Sequence, residues 1–301
     1  MSIPLKGIIP ALTTPFDNRG ALAVDRMREN IARYNKTGLS GYLINGSTGE
    51  SVLLDRSEFE KILAAVRETS AEGRILIAGT GVDSTAETIS RTEFAAKLGY
   101  HYALVAPPYF YKPLMKPEVL VEHYRRVADA SRIPLLLYSV PQFTGVAFEA
   151  DLVARLAEHS NIVGMKDSSG NVDRVGAILA SAPASFQLVT GSATTVYPCM
   201  VMGAKGGILA LATFLPELCV ELYVAAAAGG DAAKALQLQR RVMPASQKIV
   251  GGRGISGVKY AMDLRGYYGG PARRPLLPLD EAQKREVESL VAAVAPTTVA
   301  A

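Results

Sequence analysis

Eight short runs rich in isoleucine, valine and leucine recur along the chain, each followed by a longer stretch with helical apolar spacing. They read "GIIPALTT", "GYLING", "RILIAGT", "HYALVAPP", "PLLLYSV", "NIVGMKD", "FQLVTG" and "GGILAL". Strands separated by helices pair in parallel, with the helices covering the sheet. Eight such units predict an α/β fold, a (β/α)8 TIM barrel; an open doubly wound sheet is the alternative that spacing leaves.

Helices are expected at 23–37, 55–71, 84–98, 116–131, 148–159, 171–181 and 194–203. Two carry start signals with a mechanism: Asp55 precedes an apolar-periodic run, and Ser84 with Glu87 three residues on predicts a capping box. Gly38, Gly73 and Gly99 stand where a helix end calls for a left-handed residue. From about residue 225 the strands stop, and helical patterns remain near 231–250, 254–265 and 280–295. The expected organisation is a barrel over 1–225, carrying the active site, and a C-terminal helical extension over 226–301 packed on it.

Composition narrows the function classes. The net charge of +4 is small for 301 residues, and the pairs Arg125–Arg126, Arg240–Arg241 and Arg273–Arg274 read as solvated faces. Nucleic-acid binding, which needs a basic stripe, is not expected. Cys199 and Cys219 lie in apolar segments and read as packing residues in a reducing compartment. No run approaches the roughly 18–20 apolar residues of a membrane span, and "MSIPLKGIIP" lacks a basic region followed by a long apolar core. A cytoplasmic protein without a membrane partner is expected. His101, His123 and His159 are far apart, so no metal site is expected either.

In a barrel the carboxyl ends of the strands carry the chemistry. They end here in Thr13 and Thr14, Ser47 and Thr48, Thr80, Tyr109 to Tyr111, Tyr138 and Ser139, Lys166 and Asp167, Ser192, and Ile208 beside two glycines. Hydroxyls dominate, with one lysine. A desolvated ammonium is costly, and burial favours the neutral amine, a nucleophile toward carbonyl carbon that forms an electron-withdrawing imine. A strand-end lysine is equally a partner for a neighbouring carboxylate, and the residue types alone leave both readings open. "GSTGE" offers free N–H groups and two hydroxyls for a carboxylate, or makes an ordinary turn. Tyr138 is either a proton donor or a space-filling ring.

Taken together, "GSTGE", "YSVP", "GMKDSSGN" and "GGI" resemble the family that includes dihydrodipicolinate synthase and N-acetylneuraminate lyase, over essentially the whole length. The resemblance implies a TIM barrel, a homotetramer of tight dimers, and a lysine that forms a Schiff base with pyruvate or a pyruvate-yielding 2-oxo acid, with no other cofactor. It implies that Lys166 forms the imine and Tyr138 is the acid/base. By the same resemblance Ser47 serves the proton relay, Thr48 binds the substrate carboxylate, and Ile208 lines the pocket through its backbone.

Two departures bear on the substrate. The synthase pattern has an arginine two residues after the proline of its Y-N-V-P motif, where this chain has Phe143, which argues against the synthase reaction. The tyrosine that a neighbouring subunit contributes in the family falls on Phe110, with Tyr109 and Tyr111 beside it as substitutes. The "LYSVP" motif and the tail "GISGVKYAMDLRGYYGGPARRPL" are most similar to the 4-hydroxy-2-oxoglutarate aldolase branch, whose reaction yields pyruvate and glyoxylate. The synthase, or a sugar-acid aldolase or dehydratase, is the alternative; a non-catalytic 2-oxo-acid-binding barrel is the alternative from another class. Ser168 and Ser169 are candidates for a second carboxylate site.

Overall fold

A computed structural model describes residues 3–294; the ends of the two expected domains, 1–2 and 295–301, lie outside the described residues. Eight strands form β1 (Gly7–Pro10), β2 (Gly41–Ile44), β3 (Ile75–Gly79), β4 (Tyr102–Val105), β5 (Leu135–Ser139), β6 (Ile162–Asp167), β7 (Gln187–Thr190) and β8 (Gly206–Leu209). All pair in parallel, in the order β1-β8-β7-β6-β5-β4-β3-β2. A parallel bridge between Ala11 and Leu43 brings β1 to β2 and curls the sheet into a (β/α)8 barrel. The open-sheet alternative is thereby excluded.

The barrel's helices are α1 (Val24–Tyr34), α2 (Arg56–Thr69), α3 (Thr85–Lys97), α4 (Pro117–Ala130), the one-turn α5 (Pro141–Thr144), α6 (Ala150–Ala157), α7 (Val172–Ser181), α8 (Val196–Val201) and α9 (Pro216–Ala226). The full capping box belongs to Asp55 and Glu58 at α2. Ser84 caps α3 by accepting from the Glu87 N–H, but the Glu87 carboxylate is drawn to Arg91 and Arg56 instead of back to the cap. Gly73 and Gly99 adopt the left-handed conformation, whereas Gly38 does not. A Cβ on Gly38 would lie 3.0 Å from Val220 Cγ1, so close packing is what the position requires. α9 packs against α8 and α10 (Ala232–Ala245) and has little polar face, so its sequence carries no clear helical period.

After α10 come a wide π turn (Ser246–Gly252), α11 (Gly254–Leu264) and α12 (Glu281–Val294). Arg273, expected on a solvated face, is mostly enclosed: it forks onto Glu58 with two 2.6 Å bonds and lies 4.1 Å over the Phe16 ring. Its partners are far away in sequence, which is why the residue pair looked solvated. Cys199 and Cys219 are buried, free thiols, pushed up in pKa by burial and so protonated packing groups.

Alternation along the strands divides the apolar residues between the barrel interior and the layer beneath the helices. On β5, Leu135 and Leu137 pack toward the helices, while Leu136 and Tyr138 join Ile9, Leu104, Val189 and Ile208 inside. β6 breaks strict alternation. Leu135 pairs with Ile162 but Leu136 with Gly164, so Val163 is an extra residue opposite that step. Ile162 and Met165 both face the helices, three positions apart. The bulge therefore shifts the phase of the strand and turns Lys166 to the interior.

Candidate active site

The shift makes Lys166 the register partner of Tyr138 across β5 and β6. Lys166 Nζ stands 4.5 Å from the Tyr138 ring centroid, and both side chains are about 95% buried, at 4% and 5% exposure. Asp167, the next residue, points the other way and binds Arg174 Nε of α7 at 3.2 Å. Among the described residues Lys166 forms no ion pair, so the reading of it as a carboxylate's partner does not hold. Its Nζ meets a π face instead.

The turn after β2 supplies the next group. Gly49 N–H donates to Gly46 O at 3.0 Å, Glu50 N–H to Ser47 O at 3.1 Å, and the Thr14 hydroxyl to Gly49 O at 2.6 Å. Pinned in this way, the turn places Ser47 Oγ 3.3 Å from the Tyr138 hydroxyl. Ser47, Thr48, Tyr138, Lys166 and Ser168 line one cavity of about 550 Å³ at the carboxyl end of the barrel. A strand-end lysine, a phenol and a hydroxyl pair thus meet in a concave site, the arrangement required for imine chemistry with proton transfer.

Several further residues shape the cavity. Gly191 follows β7, and a Cβ there would collide with Ser168 Oγ and come within 2.9 Å of Lys166 Cε, so only glycine leaves the lysine its space. Gln142 donates to Ser168 O at 3.3 Å, and Phe143, exposed at 67%, lines the mouth. The extension reaches in as well, through Ser246, Val250, Ile255 and Val258. These positions carry no chemical signature in sequence; a glycine just after a strand end, as Gly191 is, is the one signal that points to a close approach.

Other expected positions fall differently. Ile208 is fully buried beside Tyr138 and Val140 in the barrel interior, and at the end of its strand Ala210 and Leu211 form the cavity wall. The Ser169 hydroxyl is bound to the Asp167 carboxylate, leaving Ser168 as the serine on the cavity. Thr80 pairs with Thr92 at 2.9 Å, and Thr13 with Met262 Sδ at 3.3 Å, both structural contacts. Tyr109 and Phe110 are anchored by their N–H groups to Asp83 Oδ1, at 2.7 and 2.8 Å. Tyr109 lines a smaller, mainly apolar chamber of about 360 Å³ that shares Ser47 and Tyr138, while Phe110 and Tyr111 stack edge-to-face in solvent at 5.1 Å.

The histidines serve locally: His101 accepts from Leu76 N–H, His123 contacts Thr85, and His159 contacts Asp129. Among the described residues no three His, Cys, Asp or Glu gather where a metal ion would be held, and no helix is long and apolar enough to cross a membrane.

Comparison with known proteins gives the family. The model of the dihydrodipicolinate synthetase family matches residues 4–294. The 4-hydroxy-tetrahydrodipicolinate synthase of Methanothrix thermoacetophila is 37% identical over 286 residues, covering 94% of this chain and 95% of its own. The dihydrodipicolinate synthase of Acinetobacter baumannii, solved in complex with pyruvate, superposes with a TM-score of 0.92 at 30% identity, covering 97% and 99% of the two chains. A prophage protein of the dihydrodipicolinic acid synthase family from E. coli K12, also in complex with pyruvate, gives 0.91 at 26% identity over 97% and 99%. None of these relatives is named a 4-hydroxy-2-oxoglutarate aldolase, so the expected closeness to that branch finds no support in them. A barrel that turns a buried lysine onto a tyrosine, matched by a family model along nearly all its length, belongs to the dihydrodipicolinate synthetase family.

Proposed function

We propose that Lys166 is the imine-forming residue of this enzyme, with Tyr138 moving protons, Ser47 relaying them and Thr48 holding the carboxylate of pyruvate. Enzymes of the family are carbon–carbon lyases that join lysine and pyruvate in a Schiff base without a metal or other cofactor, and this chain is a lyase of that kind. That class replaces the non-catalytic barrel considered from sequence. The observation that carries the residue assignment is the stack of Lys166 Nζ 4.5 Å over Tyr138, whose hydroxyl lies 3.3 Å from Ser47.

In the proposed reaction the Lys166 amine attacks the 2-oxo carbon, and water leaves as the imine forms. The imine takes up the electron pair of a C–C bond as it breaks, or yields an enamine that attacks an aldehyde. Tyr138 gives and takes the protons in either direction. Hydrolysis of the imine returns the amine.

Two aldehydes compete. The names of the relatives support condensation of pyruvate with aspartate semialdehyde, the synthase reaction. Phe143 at the mouth offers the semialdehyde carboxylate no charge, which keeps open a second reading, cleavage of 4-hydroxy-2-oxoglutarate to pyruvate and glyoxylate. Ser168 is then the hydroxyl placed for the second carboxylate. Borohydride reduction with pyruvate, followed by peptide mapping, tests the imine: an adduct on Lys166 is expected, and its absence refutes the assignment. Rates with the two substrates then rank the reactions. The exposed cluster of Phe110, Tyr111 and Leu114 supports assembly into the tight dimers of a homotetramer, which light scattering measures.

A further inference from the structure

Glu50 closes the turn that carries Ser47 and Thr48, from a left-handed backbone (φ 55°) that is unfavourable for a residue with a Cβ. Its side chain is fully enclosed, and two groups of the C-terminal extension grip the carboxylate. Lys259 Nζ lies 2.6 Å from Oε1, and the Arg273 N–H donates to Oε2 at 2.7 Å. The ammonium is equally enclosed. It donates to Pro271 O at 2.8 Å and stands 4.6 Å over the Phe16 ring, whose centroid also lies 4.1 Å from the Arg273 guanidinium.

A buried pair of this kind contributes little net stability, because desolvating both charges offsets their attraction. Burial indeed lowers the pKa of Lys259 against the pull of Glu50. What the pair does contribute is a fixed position. The peptide that joins Gly49 to the strained Glu50 is held on one side by the barrel, through Thr14 on Gly49 O, and on the other by the extension's grip on the Glu50 carboxylate. Glu50 also borders the chamber shared by Ser47 and Tyr138.

We propose that Glu50 and Lys259 are positioning residues: an ionic clamp by which the C-terminal extension sets where Ser47 and Thr48 meet the substrate carboxylate. This rests on the reading that those hydroxyls hold pyruvate. Neither residue touches the reacting atoms; Lys259 acts through Glu50, and Glu50 through the turn.

The test is borohydride trapping at graded pyruvate concentrations on the full chain. In the parent, lack of any Lys166 adduct would defeat the imine assignment itself, a failure separate from that of the clamp. Lys259→Met keeps length and loses charge, whereas Lys259→Arg keeps charge and alters shape. Glu50→Gln/Lys259→Met leaves neither charge orphaned and supplies the reading where the single variant does not fold. The clamp requires the half-saturating pyruvate concentration to rise about tenfold or more in Lys259→Met and in the double variant, with trapping at saturation preserved, and to stay within about threefold in Lys259→Arg. A folded Lys259→Met or double variant within about twofold of the parent overturns the proposal, as does a Lys259→Arg shift as large as that of Lys259→Met.

Discussion

Lys166 and Tyr138 face each other as register partners of β6 and β5, with Lys166 Nζ 4.5 Å from the ring centroid. The phenol therefore has two separable parts, a ring that seats the lysine and a hydroxyl 3.3 Å from Ser47. Tyr138→Phe keeps the ring and removes the proton carrier. Turnover is expected to fall about a hundredfold to ten-thousandfold, with borohydride-trapped Lys166 still accumulating at long times. Wild-type turnover in that variant would remove Tyr138 from the proton path.

Lys166 keeps this place because the bulge absorbs Val163 as an extra residue between Ile162 and Gly164. Deleting Val163 joins Ile162 directly to Gly164, so strict alternation still leaves Met165 toward the helix layer and Lys166 inward, opposite Tyr138. A folded deletion variant is expected to keep its borohydride-trapped pyruvate adduct on Lys166. Loss of the adduct in a folded variant would show that Val163 does more than occupy an extra place in the strand.

Gly191 leaves the space that Lys166 Cε and Ser168 Oγ occupy. Gly191→Ala is expected to displace both, so that the half-saturating pyruvate concentration rises and the rate at saturation falls together. Gly73→Ala, at an exposed left-handed turn with open space around it, serves as the comparison and is expected to alter stability without altering those constants.

The strands, the barrel they form and the cluster of Lys166, Tyr138, Ser47 and Thr48 at one end were legible because each leaves a local mark: an apolar run, or a polar residue where the run stops. The bulge leaves none. Counted by strict alternation from Ile162, Lys166 faces the helices; only the pairing of Leu136 with Gly164 shows otherwise. Lys259 was equally hidden, since a lysine inside "GISGVKYAM" reads as a helix-face residue until Glu50 arrives from across the fold. Arg273 was misread for the same reason, its partner Glu58 being distant in sequence. Pairings of distant charges are properties of the closed barrel, not of any segment.

His123 carries a pH dependence unrelated to the lysine. Its ring is 4% exposed, Nδ1 meets Thr85 Oγ1 at 2.9 Å, and Nε2 is buried without a partner among the described residues. Burial depresses its pKa from 6.5 to about 4, with Asp83 pulling weakly the other way. The unfolded chain thus binds a proton that the folded chain refuses between those values. The stability from keeping this imidazole neutral is fully present above the ordinary value of 6.5 and is lost as pH falls toward 4, on the order of 3 kcal/mol in all. His123→Phe removes the titrating group and keeps a ring against Tyr124, which meets His123 edge-on at 5.1 Å. Unfolding free energies from urea titrations at pH 7 to 4.5 are expected to fall less steeply in the variant, by about 1 kcal/mol per pH unit. Parallel curves for the two proteins would mean that His123 is protonated in the fold as readily as in the unfolded chain.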